Sequence, residues 1–110
     1  MTEPKIQRID VHELKKRLDA DSSIRLIDVR EDHEWKALRI PAAIHIPKDE
    51  IADKIGTVFP EREVAIYLHC KGGVRSLHAA SCLIDLGYKE VYSVDGGIAE
   101  WEMVGYPVEK

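Results

Sequence analysis

The stretch VAIYLHCKGGVRSLHAASCLIDLG, residues 64–87, decides the fold of this chain. It begins with an apolar and partly β-branched run, 64–68, that has the length of a buried strand. The Lys-Gly-Gly sequence at 71–73 predicts a tight loop, and residues 74–86 have the composition of a helix that Gly87 ends. The stretch therefore predicts a central strand, a tight loop and a helix in direct succession.

The rest of the chain alternates between helix and strand patterns. Apolar spacing and turn signals predict further helices at about 11–20, 32–38, 51–55 (ended by Gly56) and 98–104. Short apolar runs between turn residues predict further strands at 24–29, 43–46 and 91–94. Such alternation favours a parallel sheet covered by helices on both faces, which is a three-layer α/β fold.

Length and composition indicate one domain over residues 1–110. With 45% hydrophobic and 33% charged residues, the chain has the composition of a globular protein. A net charge of −4 and the lack of a basic cluster disfavour a nucleic-acid partner. Met1–Gln7 is polar and no apolar run approaches the length of a membrane span, so we expect no membrane association and a cytoplasmic location.

The two cysteines, Cys70 and Cys82, are too few for a disulfide framework and lack the CxxC pairs of a structural zinc site. We therefore expect reduced thiols and no bound metal. Cys82 falls inside a predicted helix and is expected to be a core residue. His69 adjoins Cys70 but should point to the opposite face of the sheet, so it is not the expected base for the thiol. Trp35 and Trp101 are expected to pack helices against the sheet.

Cys70 lies where ligands bind in open α/β sheets, at the carboxyl end of a strand and ahead of a helix. The unpaired N–H groups and the dipole of that helix would stabilise a thiolate. Gly72 and Gly73 lack side chains, so successive backbone N–H groups can turn inward and form an anion-binding nest. Arg75 offers a planar fork for an oxyanion such as thiosulfate, and Lys71 either steers anionic donors or is ordinary solvated surface. The segment thus predicts a thiolate and a bound anion in one cradle.

Residues 70–76, C-K-G-G-V-R-S, resemble the active-site loop of the rhodanese family, which has the form C-x-x-G-x-R-S. Two upstream segments, LIDVRE at 26–31 and IPAAIHIP at 40–47, also resemble segments of that family. The sequence DGGI at 95–98, followed by Trp101, is similar to its closing motif. Each motif alone is weak, but four of them in the family's order around one cysteine make the resemblance specific.

The resemblance runs from about residue 8 to residue 108 and implies a three-layer α/β domain, with a central parallel sheet of about five strands flanked by helices on both faces. It also implies a persulfide intermediate on Cys70, with no metal and no separate cofactor. The loop residues whose backbone would surround the sulfur are Lys71, Gly72, Gly73, Val74 and Arg75. Supporting roles beside the loop are implied for Asp28, Arg30 and Ser76.

These observations predict a sulfurtransferase that moves a sulfane sulfur through Cys70. Its donor would be thiosulfate or a protein persulfide, and its acceptor would be cyanide, a small thiol or a protein. One alternative is a carrier in a sulfur relay, fed by a cysteine desulfurase or working with a sulfur-carrier protein, because the loop is similar to rhodanese domains attached to sulfur-carrier activating enzymes. A catalytically silent regulatory module is disfavoured, since Cys70 is retained.

A cysteine-dependent phosphatase or arsenate reductase is a less favoured alternative. Those enzymes have five residues between the cysteine and the arginine, whereas four separate Cys70 from Arg75. The sequence also offers no clear carboxylic acid beside the loop that could protonate a leaving group.

Three positions depart from the rhodanese pattern. Leu38-Arg39 stands where the family often has Gly-His, and Ala42 stands where it often has Gly. These departures leave open the turn geometry and the recognition properties of the pocket rim.

Overall fold

Five short strands form the central sheet in the computed structural model, which describes residues 5–110. The expectation for Met1–Gln7 falls largely on residues 1–4, which lie outside the described residues. The strands are β1 (Ile6–Ile9), β2 (Arg25–Asp28), β3 (Ile44–His45), β4 (Ile66–His69) and β5 (Val91–Val94). The helices are α1 (Val11–Ala20), α2 (Asp32–Ala37), α3 (Ile51–Val58), α4 (Val74–Asp85) and α5 (Gly97–Met103), with a 3-10 turn at Lys48–Glu50. Nowhere in this described part is a helix long and apolar enough to cross a membrane.

The sheet has the strand order β1-β5-β4-β2-β3, and every neighbouring pair is parallel. The strand β4 lies in the middle, where Leu68 is in register with Ile27 on one side and Ser93 on the other. All residues of β4 are buried. The predicted central strand and the predicted parallel sheet of about five strands are therefore confirmed.

Apolar side chains cover both faces of the sheet. Along β4, Ile66 and Leu68 belong to one hydrophobic cluster with Leu83 of α4, whereas Tyr67 belongs to a second cluster with Trp101 of α5. Successive side chains of β4 point to opposite faces of the sheet, and both faces are covered by a hydrophobic cluster. The sequence of β4 is therefore apolar at consecutive positions rather than at every second one. The three-layer architecture and the packing of Trp101 follow the prediction.

Two features of the fold differ from the sequence pattern. The strand β1 was not predicted, because its sequence IQRI has two exposed polar residues in the middle and pairs only with β5 at the sheet edge. Gly56 was expected to end α3, but the helix continues to Val58. Gly56 lowers the helix propensity without stopping the helix, since its backbone keeps a negative φ.

Leu68 provides a test of the central position of β4. It is 0% exposed, so Leu68→Ala leaves a cavity and should lower the free energy of unfolding by about 2–5 kcal/mol in urea denaturation. Val64 lies just before the same strand and is 41% exposed, so Val64→Ala should change that free energy by less than about 0.5 kcal/mol. Similar losses in the two variants would contradict the assignment of β4 as the buried centre.

Candidate active site

Cys70 lies at the carboxyl end of the central strand, in the short loop that joins β4 to α4. The backbone of Gly73 has a φ of +112°, a conformation that glycine adopts without strain. Its N–H donates a hydrogen bond to Cys70 Sγ at 3.0 Å. The cysteine is 1% exposed, so the sulfur lies inside the loop rather than on the surface.

A pair of buried serines stands behind the sulfur. Ser76 Oγ lies 3.6 Å from Cys70 Sγ, 3.1 Å from the carbonyl oxygen of Gly73 and 2.7 Å from Ser93 Oγ. The structure thus places Ser76, for which a supporting role was predicted, directly beside the sulfur. Ser93 was not identified from the sequence, although a serine inside the apolar strand VYSV was the available signal. In register beside Leu68, it reaches the same face of the sheet as the sulfur.

The surroundings of Cys70 act on its pKa in opposite directions. Burial raises the pKa of the thiol, because an anion loses solvation there. Hydrogen bonds from the backbone and side chain of Ser76, and from the N–H groups of Gly73 and Gly72, favour the thiolate. These donors outweigh burial and hold the pKa of Cys70 below its ordinary value.

The first turn of α5 fixes the other side of the loop. The N–H of Ile98 donates to the carbonyl of Cys70 at 2.9 Å, and the N–H of Ala99 donates to the carbonyl of Lys71 at 3.0 Å. Because carbonyl and N–H point in opposite directions across a trans peptide, these bonds turn the N–H of Gly72 away from α5. A Cβ at Gly97 would lie 2.3 Å from the carbonyl oxygen of Cys70, so only glycine permits this approach. The closing motif therefore shapes the loop by backbone contact.

Asp28 and Arg30 form a buried ion pair at the end of β2. Arg30 Nη2 donates to Asp28 Oδ2 at 2.8 Å and to the carbonyl of Leu38 at 2.5 Å, and the Arg30 N–H donates to Asp28 Oδ1 at 2.9 Å. Both side chains are almost fully buried, so the pair is not the ordinary surface contact that the sequence also allowed. It ties β2 to the segment that follows α2, next to the loop of Cys70.

His69 and Cys82 lie away from the reactive side of the sulfur. Burial holds the pKa of His69 below its ordinary value, so the imidazole is neutral at neutral pH. Its Nδ1 lies 3.3 Å from the carbonyl oxygen of Cys70, and its Nε2 faces Asp28 Oδ2 at 3.7 Å. Cys82 is half-buried and packs against the core cluster below α4, as expected for a core residue.

Arg75 has a partner that the sequence analysis missed. Its guanidinium donates to both carboxylate oxygens of Glu34, at 2.6 and 2.9 Å. The expectation that no carboxylic acid lies beside the loop is therefore wrong, because α2 brings Glu34 to it. Hydrogen bonding to Arg75 lowers the pKa of Glu34 to about 2, so the group is a carboxylate at neutral pH. In the sequence, the spacing of Glu31 and Glu34 could have indicated that Glu34 lies in the first turn of α2, where the two residues form a capping box.

Lys71 lines a cavity of about 310 Å³ beside the active-site loop. The side chain of Lys71 is exposed, which is compatible both with steering of anionic donors and with ordinary solvated surface. The residues around it bring both charged and apolar groups to the opening; they include Arg30, Glu34, Leu38, Ala99 and Glu102.

Among the described residues, one group has the spacing of metal ligands. Glu31, His33 and Glu34 can place one ligand atom each within 4.8 Å of one another. Both oxygens of Glu34 already accept hydrogen bonds from Arg75, and the exposed side chains of Glu31 and His33 lie 3.5 Å from each other.

The three departures from the family pattern have different structural settings. Leu38 contributes its carbonyl oxygen to Arg30, a contact that does not depend on the side chain. Arg39 pairs with Glu109 at 3.0 Å and joins the C-terminal segment in an antiparallel bridge. Ala42 is exposed, and nothing in the structure explains the choice of residue there.

The fold and the loop define a class of α/β domains in which backbone N–H groups and a serine hydroxyl stabilise the thiolate of a cysteine at the end of the central strand. The model of the rhodanese-like domain matches residues 10–103. The chain belongs to the rhodanese-like domain family, as the resemblance predicted.

Individual relatives agree with this assignment. YtwF of Bacillus subtilis, named as a candidate sulfurtransferase, is 37% identical over 97 residues, which cover 88% of this chain and 91% of YtwF. YrkF of the same organism, named as a candidate sulfur carrier protein, is 33% identical over 96 residues, covering 87% of this chain and 51% of YrkF. The crystal structure of a rhodanese-like domain protein from Staphylococcus aureus has a TM-score of 0.82 at 31% identity, covering 96% of this chain and 100% of that one. These relatives support an activity of the sulfurtransferase type.

Alkylation of Cys70 at different pH values tests the stabilised thiolate. With iodoacetamide and mass mapping of the modified peptide, the rate should reach half its maximum at a pH below the ordinary pKa of a cysteine thiol. Ser76→Ala removes a hydroxyl that stabilises the anion and should raise that midpoint. Ser81→Ala changes an exposed serine on the same helix and should leave the midpoint unchanged. An unchanged midpoint in Ser76→Ala would show that this hydroxyl does not stabilise the anion.

Gly97→Ala tests whether contact with α5 shapes the loop. Gly97 and Gly105 both have positive φ, so alanine at either position costs about 1–2 kcal/mol in backbone strain. Only at Gly97 does the added methyl also meet the backbone of Cys70, since a Cβ at Gly105 has nothing within 4 Å. In thermal denaturation Gly97→Ala should lose more stability than Gly105→Ala, and it alone should alter the alkylation rate of Cys70. Equal behaviour of the two variants would contradict the role of this contact.

Proposed function

We propose that the chain is a sulfurtransferase in which Cys70 carries the transferred sulfur as a persulfide. The observation that carries this proposal is the buried Sγ, which accepts a hydrogen bond from the Gly73 N–H and lies beside the hydroxyl of Ser76. These groups hold the pKa of the thiol below its ordinary value although burial opposes this. A larger fraction of thiolate at neutral pH gives a nucleophile without a dedicated base.

In the first step, the Cys70 thiolate attacks the outer sulfur of a donor such as thiosulfate. The electron pair of the thiolate forms the new S–S bond, and the pair of the donor's S–S bond leaves with sulfite. The product is a Cys70 persulfide anion, so the total charge is unchanged. The N–H groups of the loop 70–75 are the donors that would stabilise the anion on the outer sulfur.

In the second step, a thiophilic acceptor takes the outer sulfur and restores the thiolate. Cyanide would leave as thiocyanate, whereas a small thiol or a protein thiol would leave as a new persulfide. Both steps move electron pairs between sulfur atoms and an acceptor, so the reaction needs no cofactor besides the cysteine. An exchange of this kind gives ping-pong kinetics.

A sulfur-relay carrier is the second candidate function. Its support is the 1% exposure of Cys70, which would shield a persulfide from solvent between donor and acceptor, together with the similarity to YrkF. A carrier would receive sulfur from a protein donor such as a cysteine desulfurase and deliver it to a protein acceptor. It would gain sulfur readily but turn over slowly with thiosulfate and cyanide.

A phosphatase function has less support from the site. A leaving alkoxide or phenolate needs a proton donor, and the carboxyl group beside the loop is Glu34. Since the pKa of Glu34 is lowered to about 2, the group holds no proton at neutral pH.

Sulfur loading of Cys70 is the direct test. The reduced protein, incubated with thiosulfate, should gain one sulfur atom by intact mass and release thiocyanate on addition of cyanide. Cys70→Ser should abolish both, whereas Cys82→Ser, which changes the other cysteine of the chain, should retain both.

The outcome separates the candidate functions. Sulfur gain with slow thiocyanate release favours the relay carrier. Sulfur gain in Cys70→Ser that disappears in Cys82→Ser would contradict the proposed nucleophile.

A further inference from the structure

We infer that Glu34 determines the class of sulfur donor: by occupying Arg75, it disfavours dianionic donors such as thiosulfate and favours thiol-derived persulfides. This inference rests on the proposed function, because it concerns the donor that loads Cys70. It reverses the expectation from the sequence that the fork of Arg75 is open to an oxyanion.

The contact between Glu34 and Arg75 takes up the Nη1–Nη2 edge of the guanidinium and offsets its charge. Both carboxylate oxygens accept hydrogen bonds from the guanidinium, at 2.6 and 2.9 Å, in the bidentate arrangement that pairs an arginine most strongly. The two side chains are 19% and 31% exposed, so solvent screens the pair only in part.

Glu34 is also fixed from its own helix. Its Oε1 accepts a hydrogen bond from the N–H of Glu31 at 3.0 Å, within the capping box of α2. The carboxylate is therefore held between the N-terminus of α2 and the active-site loop. A donor that needed Arg75 would have to break a contact that the fold keeps in place.

The remaining charges of the cavity do not replace Arg75. Arg30 is paired with Asp28 and is buried. Among the described residues that line the cavity, Lys71 is the one cation without a carboxylate partner, and it shares the opening with Glu34 and Glu102. The cavity beside the loop therefore offers little net positive charge to an anion.

This balance affects the two donor classes differently. Thiosulfate enters as a dianion and reacts with a thiolate, so a nearby carboxylate opposes its binding and its approach to the sulfur. A hydropersulfide ionises at most to a monoanion, R–S–S⁻, and reacts with the thiolate through its protonated form R–S–SH, so it brings less negative charge to the site. The pair of the Cys70 thiolate forms the bond to the outer sulfur, the R–S bond to that sulfur breaks, and its pair leaves with the R–S thiolate. The proton remains on the outer sulfur and then ionises to solvent.

The test compares the two donors in charge variants of the cavity. Second-order rate constants for sulfur loading of Cys70 are measured by intact mass with thiosulfate and with cysteine hydropersulfide. Glu34→Gln keeps the shape of the side chain and a capping-box acceptor but removes the charge. Glu102→Gln removes the same charge from the same cavity at an exposed residue that makes no contact with Arg75.

Glu34→Gln should raise the rate constant with thiosulfate on the order of tenfold at low ionic strength, as expected when one unit charge near the donor is removed. The rate constant with cysteine hydropersulfide should rise by a clearly smaller factor, since its sulfur atoms carry at most one negative charge whereas thiosulfate carries two. The gain with thiosulfate should shrink as salt is added, which a purely structural effect would not do. Glu102→Gln should give a clearly smaller gain than Glu34→Gln.

Two results would overturn the inference while leaving the proposed function intact. One is an unchanged ratio of the two rate constants in Glu34→Gln, and the other is an equal gain in Glu102→Gln. If neither donor loads Cys70 in any variant, although iodoacetamide alkylates it, the proposed function itself fails.

Discussion

The site depends on how the peptide groups between β4 and α4 are oriented. The first turn of α5 binds the carbonyl oxygens of Cys70 and Lys71, which turns the neighbouring N–H groups toward the other side of the loop. Of these, the N–H of Gly72 favours the anion on a sulfur that has little access to water, and the N–H of Gly73 donates a hydrogen bond to it. Without them, burial would keep the thiol protonated, because a buried anion needs hydrogen-bond donors or a counter-charge. Gly97 matters for this reason, since a Cβ there would meet the backbone of Cys70 and Lys71.

Full charges near the sulfur are largely neutralised before any ligand arrives. Arg30 is paired with Asp28 and Arg75 with Glu34, each through a bidentate or nearly bidentate contact. The field at the sulfur therefore comes mainly from backbone and hydroxyl dipoles that the fold holds in place. Fixed dipoles stabilise an anion without reorganising during the reaction, and they do not attract bulk anions over long distances as an exposed cation does.

The sequence predicted those parts of the molecule that follow from local patterns. The strand at 66–69, the loop after it and the helices on both faces could be read from apolar runs, glycines and capping residues. The strand β1 could not, because half of its residues are polar and its one partner, β5, comes more than eighty positions later. The contacts of Arg75 with Glu34 and of Ser76 with Ser93 were also missed, since a charged or polar residue carries no local signal that identifies a partner distant in the chain.

The docking of α5 also determines when, during translation, the loop around Cys70 takes its final shape. The proposed nucleophile is Cys70, but two of the amides that shape its loop belong to Ile98 and Ala99, which are synthesised later than α4 and β5. While a ribosome still holds these residues in its tunnel, the emerging Cys70 is an ordinary thiol with an ordinary affinity for protons. The pKa of Cys70 therefore falls only after α5 has emerged and docked on the loop.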